Sequence, residues 1–359
     1  MNPKGKSEFR NRQSEIRHRK SRSRSRDVGM KHRERDSASP TRVVGDLNEA
    51  ARMVGNNRTV CCVGVFDGVH LGHQRLIQAA VAEAGRRRCR SVVITFQNHP
   101  LSILAPAYAP LLLTDVEEKV KEIAALRPSL IAAVLFDRDL ADLEPEAFVE
   151  ETLAKQLYVV SIWCGSDFRF GRQGRGDLTL LAQQGRRFGI EVRTIDAVYQ
   201  REHLVSSTWI RTMIEHGKVE QATECLGRNY VIRGPVVSGH GRGRTLGFPT
   251  ANIAAPAGIV LPADGIYAVR TEVGSRLYGG MMNVGPAPTF GVVERRLEVH
   301  LFDYKGELLG KSLGVHFVSR LRDVIRLDSA EQLILQMKDD EQRARSVLKQ
   351  VSDRNNLAK

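Results

Sequence analysis

Two rhythms of apolar and polar positions follow one another along this chain. From Thr41 to Gly217 short apolar runs alternate with amphipathic stretches, the pattern of a parallel sheet covered by helices. The strand candidates are TVCCVGVF, RSVVITF, SLIAAVLF, YVVSIWCG and EVRTIDAV. Between them the helix candidates have readable ends. His73 to Ala84 is expected to stop at Gly85, and Thr114 with Glu117 reads as a capping box ahead of VEEKVKEIAAL. Pro145 opens PEAFVEETLAKQL, Asp177 precedes LTLLAQQGRRFG, and Ser206 with Ser207 precedes TWIRTMIEHG. The pattern predicts a Rossmann-like α/β domain of three layers in which Val60 to Phe66 is the first strand.

The rhythm changes after IEHGKVEQATECLGR, read as the connecting helix and boundary. YVIRGPVVSG, GIYAVRTEVG, RLYGGMMNVG, LEVHLFDYKG and SLGVHFVSRLR follow with turn residues at short intervals, which predicts an antiparallel β-barrel. Period-two alternation in LEVHLF puts Leu297, Val299 and Leu301 on one face and Glu298, His300 and Phe302 on the other. Glu298 is thus a carboxylate held on a rigid strand. A long helix from Ser329 to about Gln350 closes the chain, with Leu333, Leu335, Met337 and Val347 expected to pack on the barrel. No internal repeat is evident. The division read from these rhythms is a tail over residues 1–40, a Rossmann-like domain over 41–222 and a barrel domain over 223–352.

Composition refines this picture. A chain of 359 residues can hold two separate cores, and no apolar run approaches the roughly 20 residues of a membrane span. No apolar segment of a secretion signal follows the basic N-terminus. Five cysteines, without CxxC spacing and mostly in strand-like contexts, read as reduced core residues of a cytoplasmic protein without a zinc site. The net charge of +13 resembles a nucleic-acid footprint until it is located: residues 1–40 hold 13 Lys/Arg against 5 Asp/Glu. The remainder carries only +5. With SRSRSR and almost no apolar content, the tail is expected to be disordered. It reads either as an RNA- or membrane-surface arm or, more plainly, as a solvated tail or a start codon set too far upstream.

Candidate chemistry begins at GVFDGVHLGHQ, Gly64 to Gln74, where a strand hands over to a helix. Ligands of open parallel sheets bind beyond the carboxyl ends of strands, and the free N–H groups of a helix start suit phosphate. Asp67 and Gly68 supply the turn, and Gly72 lets a phosphate approach the backbone. His70 and His73 could donate hydrogen bonds to phosphate oxygens in a phosphoryl or nucleotidyl transfer. On spacing alone the pair could equally be packing or surface residues; a metal pair lacks a third ligand of matching spacing.

FDGVHLGH resembles the signature of the nucleotidyltransferase superfamily and, more narrowly, of the FMN adenylyltransferase module of bacterial FAD synthetases. Three further stretches resemble that module in order: TFQNHP, with Asn98 for the usual proline, CGSDFRFGRQGRGD and VSSTWIR. Val65 stands where many relatives have Asn. The resemblance implies that His70 and His73 contact the phosphates being transferred, and that Asp167 and Phe168 help form a flavin site. It also implies that Ser207, Thr208 and Arg211 bind nucleotide phosphate, with Gly64, Phe66, Asp67 and Gly72 shaping the nucleotide and flavin site.

GHGRGRTLGFPTANI, Gly239 to Ile253, is neither a Walker A loop nor a dinucleotide fingerprint, and composition alone would make it a flexible surface loop. GFPTAN within it resembles the signature of riboflavin kinases, followed in order by LPADGIYAVR, MMNVGPAPTFG, LEVHLFD and SRLRD. The resemblance implies Thr250 and Asn252 as ligands of a Mg²⁺ that bridges ATP phosphates, Glu298 as general base, and Gly247 and Asn283 at the nucleotide or flavin. Ala287 departs from the family's usual arginine, for which Arg295 or Arg296 could compensate. Together the resemblances span roughly residues 41–350, in the order of the bacterial bifunctional riboflavin kinase and FAD synthetase family. They imply riboflavin, FMN and ATP as partners and Mg²⁺ for both steps; the short apolar runs argue against a membrane partner, the confinement of the basic excess to the tail argues against a nucleic-acid partner of the folded part, and self-association stays open. The contrasting class is a flavin- or RNA-binding protein in which such sites only hold ligands.

Overall fold

All five residues of TVCCV are buried, as a strand covered on both faces must be. This computed structural model describes residues 40–239, 243, 246–289 and 292–357, and only the backbone at 287–289, 292–294 and 354–357. The buried run is β2 (Thr59–Val63), near the middle of a six-stranded sheet. Its companions are β1 (Arg42–Val44), β3 (Arg90–Phe96), β4 (Leu130–Val134), β5 (Val159–Cys164) and β6 (Glu191–Thr194), in the order β1-β4-β3-β2-β5-β6. Every pairing is parallel. Helices α1 (Leu47–Val54), α2 (Leu71–Arg87), α3 (Val116–Ala125) and α4 (Leu178–Phe188), with a π-helix over Phe148–Gln156, cover its faces. One core gathers Val92, Leu153 and Ile162; the other gathers Val60, Ile77 and Ile131. Each such side chain contributes about 1.5–3 kcal/mol on leaving water.

Several local expectations are corrected. β1 was not foreseen, so the strand at Val60 is the second in the chain, and it ends at Val63 rather than Phe66. Phe66 instead turns the chain with φ of 51°. α2 does not stop at Gly85: it runs on to Arg87, and left-handed Arg88 donates its N–H to the carbonyls of Ala84 and Gly85. α3 is capped by Asp115, whose side chain accepts from the Glu118 N–H at 2.7 Å. Thr114 is not the cap because its hydroxyl already accepts the Gly68 N–H, at 3.2 Å.

The second half closes into a barrel in the order β10-β13-β12-β11-β14-β9. Its strands are β9 (Tyr230–Val237), β10 (Ala251–Ile253), β11 (Gly265–Val273), β12 (Arg276–Thr289), β13 (Val292–Leu301) and β14 (Ser312–Arg322), after a small hairpin of β7 (Tyr199–Gln200) and β8 (His203–Leu204). β10 went unrecognised, being three residues inside a glycine-rich stretch. The alternation in LEVHLF holds: Leu297, Val299 and Leu301 enter the barrel core beside Val315 and Phe317. Two helices, α5 (Ser207–Glu215) and α6 (Val219–Leu226), send Ile210, Met213, Ala222 and Cys225 into the same core. The step between residues 222 and 223 therefore falls inside α6.

The last helix, α7 (Ala330–Leu357), packs Ala344 and Leu348 on Phe248, Met281 and Phe302, with Ile334, Met337 and Val347 partly buried beside them. Leu335, expected there, is 66% exposed, one residue off the buried stripe. The tail over residues 1–39, and His240, Gly241, Arg242, Arg244, Thr245, Phe290 and Gly291, lie outside the described residues, as does the Ala287 side chain. Among the described residues no helix is long and apolar enough to cross a membrane, no cluster of His, Cys, Asp and Glu could hold a metal ion, and the five cysteines are free.

Candidate active site

The strand order reverses direction between β2 and β5, so the loops leaving these two neighbours diverge and open a crevice at their carboxyl ends. A cleft of about 870 Å³ fills that crevice. Its lining includes His70, His73, Gly64, Phe66, Asp67 and Gly72 from the first motif. Asp167 and Phe168 enter it from the loop after β5, and Ser207, Thr208 and Arg211 from the start of α5. Three stretches far apart in sequence therefore meet in one cavity.

His70 is the N-cap of α2, and its Nδ1 accepts the His73 N–H at 3.4 Å. An accepting Nδ1 leaves the ring proton of a neutral imidazole on Nε2. The two imidazoles stack, with centroids 3.6 Å apart and planes 19° from parallel, and the Phe66 ring meets His73 edge-on at 5.2 Å. Stacked charges would repel and burial disfavours them further. Burial, then the positive charge of Arg228, brings His70 down to about 4. Burial, then His70, holds His73 well below the ordinary histidine value. Both are neutral at pH 7. A Cβ on Gly72 would sit 3.1 Å from the His70 ring, so this glycine makes room for the imidazole.

Asp67 and Ser207 stand at the cleft with their polar atoms engaged inside the protein. The Asp67 carboxylate, 3% exposed, accepts from the Leu113 N–H at 2.9 Å and the Thr114 N–H at 3.2 Å, and pairs with Arg211 at 3.3 Å. Ser207 donates to the Asp67 carbonyl at 2.9 Å. Arg211 is anchored by this carboxylate, while its Nε is buried with no partner among the described residues. Phe168 stacks on Phe170 at 5.4 Å, presenting a flat apolar face. In TFQNHP, Asn98 bonds both backbone polar groups of Phe136, at 2.9 Å each, tying the ends of β3 and β4.

The barrel carries the second group on its outer face. β13 places Glu298 directly across from Asn252 of β10 on one side and from Asn283 of β12 on the other. These three side chains alternate with the buried Ala251, Ile253, Leu297, Val299, Met282 and Val284, so all three point out of the barrel. The Asn283 Oδ1 is buried with no partner among the described residues, and Thr250 lies immediately before β10, two residues from Asn252. A Cβ on Gly239 would collide with the Asn252 amide at 2.0 Å, so the loop backbone lies against that amide. A second cleft of about 710 Å³ includes Asn252, Arg295 and Arg296 in its lining, though neither Glu298 nor Gly247. Gly247 is an exposed turn residue with φ of 84°.

The FAD synthetase family profile matches residues 53–209, and that of riboflavin kinase matches residues 226–348. A bifunctional riboflavin kinase/FMN adenylyltransferase of Bacillus subtilis is 34% identical over 294 residues, which is 80% of this chain and 92% of the relative. That of Escherichia coli K12 is 34% identical over 80% of this chain and 91% of its own length. The chain belongs to the family of bifunctional riboflavin kinase/FMN adenylyltransferases. A crystal structure from Streptococcus pneumoniae described as a macrolide-efflux protein has a TM-score of 0.75 at 31% identity, covering 86% of this chain and 99% of that one. That likeness is one of fold.

Membership in the riboflavin kinase/FMN adenylyltransferase family bears out the two-module reading of the sequence, in fold class and as an enzyme. Sequence reasoning passed over two cations behind the histidines. Lys119, 4% exposed, donates to the carbonyls of Phe96 and Val65, and burial pulls its ammonium down to about 8. Its signal was present: Lys119 lies one turn before Ile123 on the buried face of α3. Arg228, in the LGR that closes the connecting segment, reaches the turn before His70.

Proposed function

We propose that the cleft at the β2/β5 switch point adenylylates FMN and that the outer face of the barrel phosphorylates riboflavin, so that one chain carries riboflavin to FAD with two molecules of ATP. The convergence of residues 64–73, 165–168 and 206–211 on one cavity carries this assignment. His70 and His73, neutral and stacked, offer N–H donors to the phosphate oxygens on which charge builds during nucleotidyl transfer. The free amides at the start of α2 add to them. Arg211, held by Asp67, faces the phosphates, and Phe168 with Asp167 offers a flat face and a polar edge to the flavin.

On the barrel, Glu298 takes the proton from the 5′-hydroxyl of riboflavin, because a primary alcohol is a poor nucleophile until a carboxylate accepts its proton. The ladder holds it between two asparagine amides. Thr250 and Asn252 offer neutral oxygens, a donor set that suits Mg²⁺ shared with phosphates. When bound there, Mg²⁺ neutralises charge on the transferred phosphoryl group. The adenylyltransferase module expected over 41–222 and the kinase module expected over 223–352 meet within α6, which serves as the segment that joins them. Free, largely buried cysteines support a reducing cytoplasmic setting. Purified protein incubated with riboflavin, ATP and Mg²⁺ is expected to yield FMN and then FAD on chromatographic separation; formation of neither flavin would overturn the proposal.

A further inference from the structure

The turn that presents His70 is held in a conformation its own residues disfavour. Phe66, Gly68 and Val69 have φ of 51°, 76° and 40°. For β-branched Val69 this is an outlier that only surrounding contacts can maintain. The Phe66 carbonyl accepts the Val69 N–H within the turn and the Asp67 carbonyl accepts from Ser207, while the carbonyls of Gly68 and Val69 take donors from the connecting segment that leads into the barrel. Arg228 donates Nη2 to the Gly68 carbonyl at 2.9 Å and Nη1 to the Val69 carbonyl at 3.3 Å. Its Nε meets the Glu122 carboxylate of α3 at 3.0 Å, which fixes the guanidinium plane. Gln74, on the first turn of α2, bonds the Val69 carbonyl at 2.8 Å and the Leu226 carbonyl at 2.7 Å, closing the link between the turn and α6.

We infer that Arg228, seconded by Gln74, is a positioning residue for adenylyl transfer, through which the connecting segment fixes the turn that aims His70 and His73. The inference rests on the proposed role of those histidines. Without the guanidinium, the Gly68 carbonyl of a strained turn loses its donor and the Val69 carbonyl keeps only Gln74, so the turn can relax away from the geometry that serves transfer. A shift of about 1 Å in a positioned group costs on the order of a hundredfold in rate.

The test is steady-state conversion of FMN to FAD by full-length Arg228→Met, with riboflavin kinase activity of the same preparation as the fold control. The expected result is kcat lowered by about a hundredfold with KM for ATP and FMN within about twofold, and riboflavin phosphorylation within about twofold of wild type. Arg228→Lys, which keeps one charged donor, is expected to recover to within about tenfold. An unchanged kcat, or a raised KM with kcat intact, would overturn the inference. If Arg228→Met loses kinase activity as well, Gln74→Leu decides: about a tenfold loss of kcat supports the inference and none refutes it. His73→Ala, run in parallel, separates the two readings. If it still makes FAD, the histidine assignment has failed; if it is inactive while Arg228→Met matches wild type, only the positioning role has.

Discussion

The cleft at the β2/β5 switch point and the outer face of the barrel hold their polar groups in opposite ways. In the cleft, side chains from loops and helix starts converge at strand ends, on backbone that includes Phe66 and Val69 at positive φ. On the barrel, Asn252, Glu298 and Asn283 sit in register on three adjacent strands, held by ladder hydrogen bonds that any sequence of that pattern would make. The cleft depends on particular neighbours such as Thr114, Arg228 and Gln74; the barrel row depends on the sheet. Substitutions near the cleft should therefore spread their effects over several residues, whereas those on the barrel should act locally.

The largest effect that sharpens this contrast is expected from His73→Ala. FMN-to-FAD conversion should fall by about a thousandfold, with riboflavin phosphorylation unchanged, so that FMN accumulates on chromatography. Glu298→Gln should lower FMN formation by about a hundredfold or more while added FMN is still converted to FAD. A parallel loss of both half-reactions in either variant would break the separation of the two regions.

Acid should destabilise the cleft. His70 falls from 6.5 to about 4 through burial and the charge of Arg228, so it is neutral in both folded and unfolded protein above pH 6.5. Between 6.5 and 4 the unfolded chain binds the proton more readily, and stability is lost as pH falls. The full loss from this group is about 3 kcal/mol. Urea titrations at pH 7 and pH 5 check it, and His70→Gln should flatten that dependence. The smallest effect is expected from Gly72→Ala, whose Cβ would press on the His70 ring at 3.1 Å. About a tenfold loss of FAD formation, with the kinase rate unchanged, would show how little displacement the cleft tolerates.

The same contrast explains what could be read from the sequence. RSVVITF is a strand at both expected ends, because its five buried central residues, Ser91 to Thr95, are rich in β-branched side chains and stand out from their polar flanks. The LEVHLF alternation placed Glu298 on the outer face, since a period of two leaves no other choice. β1 was missed: three residues, RVV, carry too little pattern to stand out from a charged flank. Thr114 was misread as a cap because Asp115 beside it can do the same work, and only the fold reveals that the Thr114 hydroxyl faces Gly68. Arg228 closes the stretch read as the connecting helix and boundary, and its contact with Gly68 lies 160 residues away along the chain. Local patterns report strands and caps; a long-range polar contact leaves no periodic trace.

The measurement closest to the central claim mixes the two single-site variants. His73→Ala and Glu298→Gln, each incubated alone with riboflavin, ATP and Mg²⁺, should yield FMN without FAD and almost no new flavin, respectively. Combined, they should restore FAD, because FMN made on one protein's barrel can enter the other's cleft. Absence of FAD from the mixture, with both proteins folded, would contradict two independent sites in one chain.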